Sequence, residues 1–362
     1  MRVHARVWFL ALLTGVLLAA AVPAAAQAIG IEKFVATNCE VEGCGQEKIA
    51  ETEETVLEKG APVKKKFQFF EPNKEVTVEE AEEEGFVEAG GRVPFGVTDF
   101  KLASVGEYPE KVPTAATTHI RTDVAPGLAT NPFAVERCSL ASFGGGPLVS
   151  AGLYEAPGAE CNESEIGTQE ATIYTGAYPT EGFGDVPVSG RVYDLVPAES
   201  EHMANGARLA ALYGVAVKLP KFLTEAELTK AFAEKGHPFG EPTEKVLIEK
   251  QWYSHSLIKG NVEWGKEARG TNAGDFHDYF EIEAAASPPL LRSRLVFEGT
   301  NGRGDFITNA TSCPGNLTTS LTLAGVGLVG PEAGKAGSTR SSFTTPIGLE
   351  KKSCEELVFN PK

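Results

Sequence analysis

From about residue 90 onward, the chain consists of short segments in which apolar and polar residues alternate. Alternation with a period of two predicts strands, and glycine, proline and asparagine separate the segments. The predicted strands span residues 95–102, 117–124, 170–174, 186–196, 208–219, 246–253, 276–283 and 292–298. Strands spaced in this way predict a mainly β chain that folds as an antiparallel β-sandwich, in one or two copies.

One helix is predicted to interrupt the strands, near residues 225–235. Thr224 and Glu227 form a capping box, and Gly236 ends the segment. Leu228 and Phe232 are four residues apart and therefore lie on one face. We expect this inserted helix to cover an edge or a face of a sheet.

The first 28 residues have the pattern of a secretory signal. A short basic stretch is followed by an apolar run over 7–22 and then by small residues suited to a signal peptidase. The apolar run is shorter than the ~20 residues that a bilayer span needs. We therefore expect cleavage near residue 28, no membrane span after cleavage, and a secreted, extracellular protein that is a candidate for association with the cell surface.

Composition divides the remaining chain into three parts. Residues 29–89 form an acidic, cysteine-containing N-terminal region, in which 46–54 have a helical character. Residues 90–200 and 201–362 are predicted as the first and second parts of the β-sandwich. The formal net charge of −16 disfavours nucleic acid as a partner, because an acidic surface repels phosphate.

Six cysteines occur, all after the signal segment: Cys39, Cys44, Cys138, Cys161, Cys313 and Cys354. An even number in an exported chain predicts disulfide bonds. Six cysteines allow 15 pairings, and pairing of nearest neighbours along the sequence would give Cys39–Cys44, Cys138–Cys161 and Cys313–Cys354. The spacing does not match a zinc site.

The richest polar cluster is at 275–283. On a strand, Asp275, His277 and Glu281 would share one face, with Phe276, Phe280 and Ile282 facing inward. With His255 from a neighbouring strand, these residues form a candidate site for a divalent cation. The alternative is the solvent-exposed face of a half-buried strand. No other cofactor is expected.

Three aromatic residues, Trp252, Tyr253 and Trp264, could stack on sugar rings in a groove, although core packing is the commoner role of such residues. The chain has no G-x-S-x-G, HExxH, EF-hand or P-loop motif. No catalytic residue is assigned. A glycosidase needs only two placed carboxylates, which sequence does not identify.

Five segments stand out: GGRVPFGVTDF at 90–100, TDVAPGLATNP at 122–132, VYDLVP at 192–197, ITNATSCPG at 307–315 and CEELVFNP at 354–361. Together they resemble a group of uncharacterised secreted proteins of high-GC soil actinobacteria. The resemblance covers residues 85–362 in patches and implies an extracellular, β-rich surface chain. The turn at 124–128 also looks like one in immunoglobulin-type repeat domains, which implies that the sandwich is immunoglobulin-like.

These observations predict an extracellular, surface-associated binding or structural protein without catalysis. The expected partner is a cell-wall or extracellular polymer, or a surface protein. The alternative is a secreted hydrolase that acts on polysaccharide through carboxylates not yet identified.

Overall fold

The structure is a computed structural model, which describes residues 29–39, 49–58, 61–70, 92–106, 112–144, 154–174, 185–219, 251–265, 275–284, 289–301, 304–309 and 318–344. The predicted signal segment and the predicted helix near 225–235 lie outside these residues. So do residues 246–250 of one predicted strand.

The described chain contains nineteen strands and only short helices. The strands are β1 (Ile31–Cys39), β2 (Ile49–Glu58), β3 (Ala61–Phe70), β4 (Phe95–Leu102), β5 (Ser104–Val105), β6 (Val112–Pro113), β7 (Ala115–Asp123), β8 (Ala129–Thr130), β9 (Glu165–Tyr174), β10 (Asp185–Leu195), β11 (Ala211–Lys218), β12 (Tyr253–Gly265), β13 (Asp275–Glu283), β14 (Leu290–Glu298), β15 (Thr300–Asn301), β16 (Gly304–Asp305), β17 (Ile307–Thr308), β18 (Thr318–Gly327) and β19 (Ala336–Thr344). The helices are α1 (Leu140–Gly144) and two 3-10 turns, Ala159–Ser164 and Gly330–Glu332.

Eleven of the strands form one antiparallel sheet, in the order β1-β4-β14-β9-β10-β11-β12-β13-β7-β18-β19. The two outer strands of this order, β1 and β19, lie against each other, so the sheet is nearly closed into a barrel. The mainly β prediction is confirmed. The immunoglobulin-like sandwich is not confirmed, because these strands share one sheet instead of dividing between two.

Strands that are distant in sequence are neighbours in the sheet. β14 lies between β4 and β9, so residues from after position 200 are inserted among strands from before it. The predicted division at residue 200 therefore falls within a single sheet. The order also places β12, β13 and β7 side by side.

The helical character predicted for residues 46–54 is wrong where the structure describes them. Residues 49–54 belong to β2, which pairs with β3 as a hairpin. In this register Glu53 is opposite Lys66 and Glu54 is opposite Lys65. Backbone pairing with β3 therefore overrides the helix preference of glutamate, which is a weak determinant by itself.

The inner face of the barrel carries the main hydrophobic core. Because side chains alternate between the two faces of a strand, inward positions include Ile120 on β7, Val192 on β10, Tyr213 on β11, Phe280 on β13 and Leu295 on β14. The short pair β8–β17 closes one side of this interior, where Leu128, Ala129, Thr130 and Ile307 meet the core.

Part of the outer face is covered by α1 and the 3-10 turn at 159–164. Phe143 of α1 lies over Gly214, where a Cβ atom would come within 2.6 Å of its ring, so glycine permits this close approach. A disulfide joins Cys138 to Cys161 behind the helix, with the Cα atoms 5.0 Å apart. This pairing confirms one of the three predicted disulfides.

Of the other four cysteines, Cys39 lies within the described residues, and Cys44, Cys313 and Cys354 lie outside them. Cys39 is also disulfide-bonded, but its partner lies outside the described residues, so the pairings Cys39–Cys44 and Cys313–Cys354 stay predictions. Disulfides are typical of proteins that fold in an oxidising compartment, which fits the expected secretion. Within the described ranges, no helix has the length and apolar character that crossing a membrane requires.

Candidate functional site

The four residues predicted to bind a cation are not brought together. In the strand register, His255 is opposite Ala216 of β11, whereas His277 is opposite Glu263, eight residues further along β12. At the rise per residue of an extended strand, the two histidines are therefore separated by roughly 26 Å along the direction of β12. His277 and Glu281 do share the outer face of β13, and the side chain of Asp275 lies outside the described residues.

His255 instead packs between two aromatic rings of the outer cover. Its ring centroid lies 4.4 Å from that of Phe143 and 4.3 Å from that of Tyr154. Burial lowers the pKa of His255 to about 4, against the opposing effect of backbone groups at Gly144 and Glu155. The imidazole is therefore neutral at physiological pH and acts as a packing residue.

The three residues predicted to stack on sugar rings lie at the two ends of β12. Tyr253 packs against the core beneath α1 and pairs with Tyr154 through the backbone. Trp252 precedes it, partly buried, and its carbonyl oxygen accepts hydrogen bonds from Leu219 and Gln251. Trp264 is near the other end of β12, and its side chain lies outside the described residues.

A second polar cluster, not predicted as a unit, lies on the outer face of β7, β12 and β13. Arg121 Nη2 donates to Asp123 Oδ1 at 2.6 Å and also to Glu263. His277 Nε2 lies 3.3 Å from Asp123 Oδ1. The backbone register creates this cluster, because Glu281 is opposite Arg121 and Glu263 is opposite His277.

The charged side chains of this cluster pair with one another through hydrogen bonds and ion pairs. Burial alone would favour neutral Asp123, but hydrogen bonds from His277 and Arg121 outweigh it and lower the pKa of Asp123. Burial likewise opposes the charge of Arg121, yet hydrogen bonds to Asp123 and Glu263 raise its pKa overall. Such buried, mutually paired groups form a structural ion network.

The same cluster has the donor atoms for a metal ion, since ligand atoms of Asp123, Glu263 and His277 lie within 4.8 Å of one another. However, Arg121 already supplies the positive charge by binding both carboxylates. The cluster also holds a loop over the sheet, because the amide of Ala204 donates to Glu281 Oε2 at 3.0 Å. We therefore assign it a structural role.

The interior of the barrel contains a cavity of about 110 Å³. Most of its wall is apolar, and the lining residues that define it are Ala36, Ile120, Ile258, Phe280, Ile282, Leu295, Phe297 and Ile307. The polar residues of the lining are Thr37, Asn38, Thr98, Thr122, Thr130, Tyr213, Asp278 and Thr319. A concave, mostly apolar space with few polar groups is the usual form of a small-molecule site.

One side of the cavity has a connected polar wall. The hydroxyl of Tyr213 donates to Thr130 Oγ1 at 2.6 Å, and the amide of Thr130 donates to Asp278 Oδ2 at 3.2 Å. Burial raises the pKa of Asp278 and that of Tyr213 above their ordinary values. Asp278 is thus the single carboxyl group among the described lining residues.

Sequence reasoning missed Asp278, although it lies within the polar cluster at 275–283. The predicted cation ligands His277 and Glu281 occupy outward positions of β13, whereas Asp278 shares the inward face with Phe280 and Ile282. The sequence position of Asp278 could have identified it, because an aspartate at an apolar position of an alternating strand loses hydration when the strand packs.

Asp194 is a second inward carboxyl group. It is fully buried, and within the described part of the chain neither carboxyl oxygen makes a hydrogen bond. Burial raises its pKa to about 8, and the charge of Arg137 and the nearby amide of Leu195 offset this only in part. Asp194 is therefore mostly protonated at neutral pH.

Comparison with protein-family models, curated proteins and solved structures found no match for this chain. The resemblance to secreted actinobacterial surface proteins stays a prediction.

Proposed function

We propose that this protein is an extracellular binding protein without catalysis, and that its binding site is the cavity inside the barrel. The observation that carries the proposal is the apolar cavity with one carboxyl group on its wall. The ligand would be a small, mostly apolar molecule.

The size and the lining of the cavity support this proposal. Small β-barrels hold single small ligands in their interior. An apolar protein cavity of roughly 150 Å³ stays dry and binds benzene or xenon, and the cavity of about 110 Å³ here is close to that size. Filling an empty apolar cavity recovers the dispersion contacts that its wall lacks.

The alternative of a secreted polysaccharide hydrolase receives less support. Such an enzyme needs one ionised and one protonated carboxyl group on either side of a sugar. The two inward carboxyl groups, Asp194 and Asp278, both have pKa values raised by burial. Burial shifts the pKa of both groups in the same direction, so the environment does not divide the acid and base roles between them.

An extracellular location is part of the proposal. It is supported by the signal pattern at 1–28 and by the Cys138–Cys161 disulfide. Association with a cell-wall polymer or a surface protein remains the proposed context, in which the barrel would present its small-molecule site outside the cell.

The test is calorimetric titration of the purified, disulfide-intact protein with benzene. We expect saturable binding that is abolished by Ala36→Leu, because Ala36 lines the cavity and a leucine there would fill part of it. The matched control is Ala336→Leu, which makes the same change at an exposed position of β19 and should leave binding unchanged.

Two results would contradict the proposal. The first is no binding of benzene to the wild-type protein at concentrations up to its solubility. The second is an Ala36→Leu protein that has native circular dichroism and binds benzene as tightly as the Ala336→Leu control, which would place the binding outside the cavity.

A further inference from the structure

The chemistry of Asp278 indicates which class of ligand the cavity takes. Asp278 stands at an inward position of β13, two residues before Phe280 and four before Ile282. The hydrophobic side chains Ile258 and Leu295 also line this space. Asp278 is half-buried, and a carboxylate partly withdrawn from water is stabilised by a partner of opposite charge or by a strong donor.

Only one of the two carboxyl oxygens of Asp278 has a partner. Oδ2 accepts a hydrogen bond from the amide of Thr130 at 3.2 Å. Among the described residues nothing donates to Oδ1. The hydroxyl of Tyr213, which also lines the cavity, donates instead to Thr130 Oγ1. The wall therefore offers one unused acceptor that carries charge when ionised.

Asp278 also lies between the apolar interior and an exposed apolar rim. Val262 is directly opposite Asp278 in the β12–β13 register, and Phe276 is the preceding residue on the same face of β13. Val262 is 50% exposed and Phe276 is 63% exposed, whereas Ile258 and Leu295 of the cavity lining are buried. A ligand approaching past this rim would meet the carboxyl group with its polar end, while its hydrocarbon end reached the cavity.

We infer that the ligand of this cavity is a small primary amine, bound as its ammonium ion. The ammonium group donates to Asp278, and the hydrocarbon group fills the space lined by Ile258, Phe280 and Leu295. This inference rests on the proposed function, because it names the ligand class of the same site. A charge-assisted hydrogen bond in a water-poor site is about twice as strong as a neutral one.

The experiment compares three probes of nearly equal shape: n-butylamine, n-butanol and n-pentane. Each is titrated into the wild-type protein, into Asp278→Asn and into Asp305→Asn at pH 7. Asparagine keeps an oxygen that can accept from Thr130, so the fold is preserved. Asp305 is an exposed control, because it pairs with Arg92 at the surface in a bridge whose side chains are 68% (Arg92) and 52% (Asp305) exposed.

We expect n-butylamine to bind the wild-type protein at least about tenfold more tightly than n-pentane. Asp278→Asn should remove this preference and leave the affinity for n-pentane unchanged, and Asp305→Asn should change neither. If n-pentane and n-butanol bind as tightly as n-butylamine, the amine inference fails and the proposed cavity function stands. If none of the three binds, the proposed function and the inference both fail.

Discussion

Asp194 lies directly opposite Tyr213 in the register of β10 and β11, and both residues are buried inside the barrel. The hydroxyl of Tyr213 donates away from Asp194, to Thr130. Asp194 is therefore left without a hydrogen bond among the described residues. A buried carboxyl group in this position costs stability whenever it is ionised.

Asp194→Asn should stabilise the protein, and increasingly so as pH rises. The pKa of Asp194 is raised from 3.8 to about 8 on folding. Ionisation is thus opposed only in the folded state, and wild-type stability declines as pH rises from 3.8 towards 8. We expect the free energy of unfolding of Asp194→Asn to exceed that of the wild type by at least about 3 kcal/mol at pH 8 and by little at pH 4.

The measurement is urea unfolding of both proteins between pH 4 and pH 8, with Asp305→Asn as an exposed control. A difference between Asp194→Asn and the wild type that does not change with pH would contradict the account of this carboxyl group.

His255 should make the protein less stable in acid. Its pKa is lowered from 6.5 to about 4 on folding, so the unfolded chain takes up a proton more readily. The contribution of the neutral ring is complete above pH 6.5 and declines as pH falls to 4. Relative to His255→Phe, the free energy of unfolding of the wild type should drop by about 2 kcal/mol over this range. This drop is smaller than the pKa shift alone would give, because the ring is partly exposed.

Unfolding of the wild type and of His255→Phe at matched pH values measures this difference directly. Phenylalanine preserves stacking between Phe143 and Tyr154 and has no titrating group. A constant difference from pH 7 to pH 4 would show that His255 is not held neutral by burial.

Arg121 should be far more important for stability than an exposed arginine. Arg121→Met leaves Asp123 and Glu263 without their cationic partner, and breaking a buried ion pair on one side costs about 3–5 kcal/mol. Arg191→Met is the matched control, because Arg191 pairs with Glu165 at the surface and is 56% exposed. That change should cost less than about 1 kcal/mol, and equal losses in the two variants would refute the ion-network assignment.

The same variant tests the assignment of Asp123, Glu263 and His277 as a structural cluster. Without Arg121, these side chains could bind Zn²⁺, because their ligand atoms lie within 4.8 Å of one another. We expect Zn²⁺ to raise the thermal midpoint of Arg121→Met but not that of Arg191→Met. If Zn²⁺ stabilises Arg191→Met equally and Asp123→Asn abolishes the effect, the cluster is a metal site and our assignment is wrong.

The Cys138–Cys161 disulfide should stabilise the outer cover. It closes a loop with a sequence separation of 23 residues, for which the chain-entropy model predicts about 3 kcal/mol. The double variant Cys138→Ala/Cys161→Ala should lose about this amount in urea unfolding, and amides of α1 should exchange faster. A loss below about 1 kcal/mol would contradict the prediction.

Local alternation predicted many strands correctly and could not predict the sheet. Residues 95–102 were predicted as a strand and form β4, and 186–196 differ from β10 by one residue at each end. β18 and β19 were missed, since they are rich in threonine, serine, glycine and alanine. The placement of β14 between β4 and β9 depends on pairings that span more than a hundred residues, which periodicity does not encode.

The candidate site was harder to predict for the same reason. Sequence pattern identified the segment at 275–283 but could not show that β7 and β12 flank it. That arrangement buries His277 and Glu281 in an ion network and leaves Asp278 on the cavity wall. The predicted partner His255 is far from them because it lies at the opposite end of β12.

The most direct test of the binding function is a crystal structure of the disulfide-intact protein under xenon pressure. The account predicts a xenon atom inside the barrel, in contact with Ile120, Phe280 and Leu295, and none there in Ala36→Leu. Xenon bound only at other places, with the barrel interior unoccupied, would contradict the claim that this cavity is a ligand site.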